Sequence, residues 1–439
     1  MVIYMANSIW MQQTQLPRFS CLQGNRKTDV LIVGGGLTGL LCAWRLQQSG
    51  VDYLLIEANR IFGGTSGMTT AKITSQHGLI YDKISKRYGL ETALAYYDAN
   101  EAALGEYRRI CSDIDCDFET KDNFIYSVDS VDKLEQELKT LQIIAAKADF
   151  SGKLPLPFQT AGAVRFLNQA QFHPLKFAAA ISHNLKIAEC TPARAFAENT
   201  VLTDYGKITA EQIVVATHFP VVNKHGLYFM KQYQNRSYVL ALLNGPKLNG
   251  MYRDASETGF SFRNTGDHLL LGGGAHRTGK KSEGWIPLEY AAARWFPSAR
   301  PELRWAAQDC MTLDGIPYIG KYSKSSGELF VATGFNKWGM SSAMVASMIL
   351  VDQLLGRNNP YAFAFSPQRS SLHPQLAVNI LESTCNLLKP TTPRCPHLGC
   401  ALKWNPRERS WDCPCHGSRF DEDGTLLDNP ANDDLKHRS

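Results

Sequence analysis

The stretch TDVLIVGGGLTGLLCAWRLQQSGVDYLLIE, residues Thr28–Glu57, decides the fold of this chain. An apolar run, DVLIV, precedes a turn of three glycines and an amphipathic segment that ends at Gly50. A second apolar run, YLLIE, follows. Short apolar runs next to turn signals predict buried strands, and the amphipathic period predicts a helix. The stretch therefore predicts a βαβ unit that begins a Rossmann-like parallel sheet.

The glycines of the turn have the spacing G-x-G-x-x-G, directly after a strand and before a helix. Their backbone amides can approach a pyrophosphate at the helix N-terminus. Glu57 ends the second strand about 20 residues later, where a carboxylate binds the ribose hydroxyls of a dinucleotide. A purely structural glycine turn is the alternative. The candidate contacts in this unit are Gly34, Gly36, Leu37, Thr38, Gly39, Glu57 and Ala58.

The next segment, GGTSGMTTAK (Gly63–Lys72), consists mostly of small and hydroxyl-bearing residues. Such residues let a chain run close beside a pyrophosphate and an isoalloxazine ring, which favours FAD over NAD. Thr65 and Ser66 are candidate contacts in this segment.

The rest of the chain indicates an α/β fold combined with antiparallel β-structure. QIVVAT (Gln212–Thr217) and GELFVATGF (Gly327–Phe335) are apolar enough for buried parallel strands, and a helix is predicted over Met340–Leu355. Within residues 229–274, strand-like runs of alternating apolar and polar residues are separated by turn signals, as in an antiparallel sheet. We expect an FAD-binding domain over 28–228 with a helical insert at about 80–150, a substrate domain over 229–304, a return to the first domain over 305–357, a linker arm over 358–389 and a cysteine-bearing module over 390–439.

These motifs resemble the glycine oxidase and D-amino acid oxidase (DAO) family from about Thr28 to Gly356. GGTSGMTTAKITSQHG, QIVVAT, DGIPYIG and ATGFNKWGM carry the resemblance together with the glycine turn. One departure is His218, where the family often has glycine. The resemblance implies flavin contacts by Thr70, Ala71, Lys72, Ala193, Ala216, Gly334, Asn336, Lys337, Trp338, Gly339 and Met340.

On the substrate side, the candidate catalytic residues are His77, Arg263, Lys337 and Trp338. Each has a structural alternative: Arg263 can be an ordinary surface arginine and His77 a hydrogen-bonded structural histidine. Tyr252 is interpreted as a packing residue of its strand.

Four of the eleven cysteines lie in CPHLGC (Cys395–Cys400) and CPCHGS (Cys413–Ser418). Cys395, His397, Cys413 and His416 offer two thiolates and two imidazoles, which suit a Rieske 2Fe-2S cluster. A structural Cys2His2 zinc site is the rival. The boxes resemble Rieske proteins of the respiratory-complex type, and the resemblance implies a disulfide between Cys400 and Cys415. Because the module is short, we expect it to rest on the flavin domain.

The 439 residues suffice for two or three folding units, and 44% hydrophobic content is typical of a globular enzyme. The net charge of +5 comes from scattered residues, so no nucleic-acid partner is expected. The longest apolar helical run contains Asp352 and is shorter than the ~20 residues that cross a bilayer. The N-terminus lacks the pattern of a signal peptide, so a cytoplasmic location without a transmembrane segment is expected.

A flavin accepts two electrons and a 2Fe-2S cluster transfers one at a time. The two resemblances together imply a dehydrogenase that oxidises an amine or amino acid and passes electrons through the cluster to an external acceptor, a protein or a quinone-like molecule. Two alternatives stay open: an oxidase with a structural or sensing Rieske module, and an electron-transfer flavoprotein without an amine substrate.

Overall fold

The computed structural model describes residues 8–222, 225–390 and 393–435. The first seven residues, which belong to the N-terminal stretch judged unlike a signal peptide, lie outside this description. Within the described ranges, every helix is too short or too polar to span a bilayer.

The predicted βαβ unit consists of strand β1 (Arg26–Val33), helix α2 (Leu37–Gln48) and strand β2 (Tyr53–Ile56). β1 lies between β2 and β10 (Gly206–Val215) and is parallel to both. β10 is in turn parallel to β17 (Leu329–Thr333), so the chain returns to the first sheet as expected. The other strands of this sheet are β7 (Ile187–Ala188), β8 (Ala193–Ala197), β9 (Thr200–Thr203) and β16 (Tyr318–Lys321).

The second sheet is mainly antiparallel and has the strand order β15-β11-β14-β13-β12-β4-β6-β3, with β5 paired to β6. Only part of it comes from the predicted substrate domain. The segment expected as a helical insert of the first domain supplies strands as well, because β4 pairs in parallel with β12. The bounds are β3 (Lys72–Ile73), β4 (Glu119–Ser127), β5 (Ala148–Ser151), β6 (Gly162–Gln171), β11 (Gln232–Leu243), β12 (Met251–Asp254), β13 (Ser261–Thr265), β14 (His268–Arg277) and β15 (Arg300–Thr312).

The helices cover the sheets and join them. α9 packs against α2 and α4, and most of its length is buried. Gly89, with φ +88°, separates α3 from α4 within the predicted helical insert. The remaining helices are α1 (Ile9–Gln13), a 3-10 turn (Thr65–Met68), α3 (Tyr81–Tyr88), α4 (Leu90–Cys111), α5 (Asp132–Ile143), α6 (Pro174–Ser182), α7 (Tyr228–Lys231), α8 (Ile286–Trp295), α9 (Gly339–Leu354), α10 (Ala362–Phe365) and α11 (Pro374–Leu388).

The cysteine-bearing module is a small antiparallel sheet of β18 (Lys403–Asn405), β19 (Ser410–Asp412), β20 (Arg419–Phe420) and β21 (Leu426–Asp428). The predicted linker arm ends in α11, which contacts the module and the rest of the chain. The Ala401 amide donates to the Asn386 carbonyl at 3.0 Å, and Asn379 Nδ2 donates to the Met230 carbonyl at 3.1 Å.

Candidate functional site: a flavin cavity beside a cysteine-histidine cluster

A cavity of about 580 Å³ lies between the glycine turn of the first sheet and the second sheet. The structure brings most of the predicted contacts together around it. Gly39, Ala71, Asn336, His77 and Arg263 do not line it. The predicted residues that do are Gly34, Gly36, Leu37, Thr38, Glu57, Ala58, Thr65, Ser66, Thr70, Lys72, Ala193, Ala216, Gly334, Lys337, Trp338, Gly339 and Met340.

The glycine turn has the shape that a pyrophosphate requires. At Gly34 (φ +114°) a Cβ would lie 2.5 Å from the Ala216 carbonyl oxygen, so only glycine fits there. At Gly36 a Cβ would meet only the Ser66 hydroxyl, at 3.1 Å, and would fill the space beside the helix N-terminus. The Gly35 amide donates to Glu57 Oε2 at 2.7 Å, which holds this carboxylate at the cavity wall. These residues fit a bound dinucleotide.

Arg263 binds the backbone of the segment that is predicted to lie beside the isoalloxazine ring. Its Nη1 donates to the carbonyls of Thr70 (2.8 Å) and Ala71 (2.7 Å), and its guanidinium lies 5.3 Å from the Trp10 ring centroid. Arg263 is 2% exposed. It therefore positions the segment of Thr70 and Ala71 at the cavity edge and does not itself line the cavity.

Trp338 lies in the glycine-rich loop between two charged or polar neighbours. The His77 ring stacks on it at 5.1 Å between centroids, and the Arg253 guanidinium lies 5.1 Å from its centroid. His77 also bonds Tyr96 Oη (2.6 Å) and Ser341 Oγ (2.8 Å). Burial lowers the pKa of His77 to about 3, so this ring is neutral near pH 7 and supports the loop from outside the cavity.

The loop itself is shaped by Asn336. Its Oδ1 accepts from the Thr312 amide at 2.8 Å and its Nδ2 donates to the Gly334 carbonyl at 2.6 Å. These bonds hold Lys337 at the cavity wall with φ +73°. Burial and the charge of Arg253 lower the pKa of Lys337 to about 8, although Asp309 favours its charged form.

Arg253 and Asp309 line the cavity and were missed by the sequence reasoning. Arg253 follows Tyr252 on β12, and Tyr252 packs on Phe124 with ring centroids 4.8 Å apart. Because strand side chains alternate, a buried Tyr252 places Arg253 on the opposite face, a signal that was available in the sequence. Burial raises the pKa of Asp309, although the nearby Lys337 and His218 favour its charged form.

The two cysteine boxes form a pair of equivalent turns. The Gly399 amide donates to the Cys395 carbonyl and the Gly417 amide to the Cys413 carbonyl, both at 2.9 Å. The rings of His397 and His416 are 5.0 Å apart between centroids. The sulfurs of the remaining pair, Cys400 and Cys415, lie within 4.8 Å of each other and of Cys413.

This donor set fits a metal cluster. Both ring nitrogens of His416 are buried and make no hydrogen bond within the part of the chain that the structure describes. Burial and the neighbouring His416 lower the pKa of His397 to about 3, so a neutral imidazole is available there as a ligand. The disulfide between Cys400 and Cys415 stays a prediction.

The cluster loops rest mainly on the second sheet, although the short module was expected to rest on the flavin domain. Gln234 Nε2 donates to the His416 carbonyl at 3.0 Å, and Gln308 Nε2 donates to the Gly417 carbonyl at 2.8 Å. The Phe219 ring centroid lies 6.4 Å from those of both His397 and His416. The cluster site and the cavity are thus neighbours.

Comparison with known proteins identifies both parts. Residues 29–353 match the family described as FAD dependent oxidoreductase (DAO), and residues 376–438 match the Rieske [2Fe-2S] domain. This chain belongs to the DAO family of FAD-dependent oxidoreductases and ends in a Rieske domain. FAD and the Rieske cluster are thereby confirmed as its cofactors, and the zinc alternative is set aside.

One similar protein covers both parts of the chain, and others cover about four fifths of it. The putative Rieske 2Fe-2S iron-sulfur protein YhfW of Bacillus subtilis is 34% identical, with 97% of this chain and 96% of that protein covered. Gamma-glutamylputrescine oxidoreductase of Escherichia coli is 25% identical over 80% of this chain and 89% of its own length. Glycine oxidase from Geobacillus kaustophilus has the same fold, with a TM-score of 0.66, 18% identity, and 79% of this chain and 99% of that chain covered.

Proposed function

We propose that this oxidoreductase is a dehydrogenase of amines or amino acids. Bound FAD would accept the hydride from the carbon of a C–N bond, and the Rieske cluster would deliver the electrons singly to an external acceptor, a protein or a quinone-like molecule. The residues of this chain would position the substrate, exclude water and keep the two cofactors at short range.

The proximity of the two cofactor sites is the observation that carries this proposal. Thr217 and His218 line the flavin cavity, and the next residue, Phe219, contacts both predicted histidine ligands. A cluster this close can take electrons from a reduced flavin before they reach oxygen.

Charged groups of the cavity support an amino-acid or carboxylate-bearing amine as the substrate. Arg253, Lys337 and Asp309 converge on one wall, where a carboxylate and an amine can each meet an opposite charge. Among the similar proteins, one is named for gamma-glutamylputrescine and another for glycine.

The second candidate is an oxidase in which the Rieske domain is a structural part. Buried ion pairs at the domain interface favour it, since Arg236 Nη2 lies 2.5 Å from Glu408 Oε2 and both side chains are at most 10% exposed. A tightly docked domain is compatible with either role.

Anaerobic mixing with a panel of amines and amino acids separates the candidates. For a dehydrogenase we expect flavin bleaching followed by the paramagnetic signal of a reduced Rieske cluster, and little H₂O₂ under air. Stoichiometric H₂O₂ with an oxidised cluster would identify an oxidase. A flavin that no amine reduces, but that a reduced protein does, would identify an electron carrier.

A further inference from the structure

The Rieske domain supplies part of the wall of the flavin cavity. The segment that does so, here called the covering segment, runs from Leu426 to Asn432. Its cavity-lining residues are Leu426, Leu427, Asp428, Asn429, Ala431 and Asn432. They stand near Ala193 and Arg194, which line the same cavity from the flavin domain.

Two anchors attach the covering segment to the flavin domain. Asn429 Nδ2 donates to the carbonyl of Thr217 at 2.5 Å and to that of Phe219 at 3.2 Å. Arg194 Nη1 donates to the Asn432 carbonyl at 2.8 Å. Both anchors lie at the cavity edge, so the segment can leave only if these bonds break.

The same segment is attached to the cluster loop. The Ala431 amide donates to Ser418 Oγ at 3.0 Å, and Arg419 Nη1 donates to Asp428 Oδ2 at 2.9 Å. Ser418 and Arg419 lie two and three residues after His416 in the chain. In addition, Gln234 Nε2 donates to the carbonyls of both Asn429 and His416, at 2.9 and 3.0 Å.

We propose that the covering segment retains FAD in its cavity and that FAD binding and cluster assembly stabilise each other through it. Metal binding orders the loop that carries the cluster ligands. That loop fixes the covering segment through Ser418 and Arg419, and the segment closes the cavity. Linkage is reciprocal, so bound FAD must also stabilise the cluster-loaded domain by the same free energy.

Release of FAD from the full-length, cluster-loaded protein tests the anchors. Asn429→Ala removes two bonds to the flavin domain and should speed FAD release about tenfold, in line with the loss of one or two hydrogen bonds. Arg194→Gln removes the other anchor and should have the same effect. Thr425→Ala, at an exposed site just before the segment, is the matched control and should release FAD at the wild-type rate.

FAD per chain is measured by absorbance after timed desalting, with the Rieske paramagnetic signal as a check of the fold. Unchanged release in both anchor variants would overturn the retention role. Wild-type protein stripped of iron by a chelator under reducing conditions should lose FAD about tenfold faster as well. Unchanged release from that protein would overturn the linkage. These measurements need no substrate, so they are independent of the proposed reaction.

Discussion

At the scale of single residues, Gly36 and Gly39 belong to one turn but have different surroundings. A methyl group at Gly36 would meet only the Ser66 hydroxyl, whereas one at Gly39 would overlap the Gly34 carbonyl oxygen. We expect Gly36→Ala to fold normally and to bind FAD at least about tenfold more weakly, because the methyl group occupies the pyrophosphate approach. Gly39→Ala should lower the free energy of unfolding by about 1–3 kcal/mol. FAD titration and urea unfolding check both, and unchanged FAD affinity in Gly36→Ala would contradict this assignment.

Lys337 predicts a pH dependence of the flavin potential. Its lowered pKa, about 8, means that its ammonium group loses its proton as pH rises through about 8. Near the flavin, this charge favours the reduced anionic form. The wild-type potential should therefore exceed that of Lys337→Met below pH 8, and the gap should close above it. The unfolded chain holds this proton up to about 10.5, so between these values Lys337 makes stability rise with pH. A gap that is absent or constant with pH would refute this role.

Ser418 and Phe420 predict the potential of the Rieske cluster. Hydrogen bonds to cluster sulfurs raise the potential, and Ser418 lies near enough to the Cys395 thiol to lower its pKa, as a donor to the sulfur would. Phe420 packs among the cluster cysteines but has no donor. We expect Ser418→Ala to lower the potential and Phe420→Tyr to raise it, in a potentiometric titration of all three proteins. A Phe420→Tyr potential at or below that of the wild type would contradict the argument.

At the scale of the strands, Arg253 and Arg263 lie on the same face of the second sheet but contact different parts of the site. Arg253 pairs with Ser261 across β12 and β13, and Arg263 lies two residues beyond Ser261 on the same face. That offset places Arg253 at the cavity and Arg263 beneath the carbonyls of Thr70 and Ala71.

Arg263→Met should therefore lower FAD occupancy, because it leaves buried carbonyls unsatisfied. Arg253→Met should retain FAD and raise the KM for carboxylate-bearing amines about tenfold or more, with less effect on amines that lack a carboxylate. Each variant is the control of the other, measured by FAD content and steady-state kinetics. The reverse pattern would refute both assignments.

At the scale of the whole molecule, a buried ion network joins the Rieske domain to the second sheet. Glu408 lies between Arg236 of β11 and Arg419 of β20, at 2.5 and 2.9 Å. Burial would raise the pKa of Glu408, but the two guanidinium groups lower it to about 2. Its contribution to stability is therefore complete above about pH 4.5 and is lost as pH falls toward 2.

Glu408→Gln should lower the free energy of unfolding by about 3 kcal/mol near neutral pH, because it removes the carboxylate that two buried arginines share. Arg419 keeps Asp412 and Asp428 as partners, so Arg236 bears most of the loss. The difference from the wild type should shrink toward pH 2. Glu422→Gln removes an exposed partner of Arg409 in the same domain. It should lower the free energy of unfolding by less than about 1 kcal/mol. Urea unfolding followed by flavin and cluster absorbance gives these values. Equal costs for the two variants would show that the network does not hold the domain.

The sequence by itself determined the parts of this protein that depend on local spacing. The βαβ unit, its glycine turn and the two cysteine-histidine boxes each lie within a few tens of residues, and their chemistry follows from residue type and separation. The return of the chain to the first sheet was also predicted, because buried parallel strands are apolar throughout.

Only the tertiary structure decided how distant segments combine. Because β4 pairs with β12, part of the predicted helical insert belongs to the second sheet. These strands are more than a hundred residues apart, and the periodicity of a strand does not indicate which distant strand it pairs with. Packing also determined that Arg253 lines the cavity, whereas Arg263 and His77 lie outside it and support its wall. The covering segment at the cavity edge arises in the same way, since its bonds join residues about 200 positions apart whose meeting depends on how the domains dock.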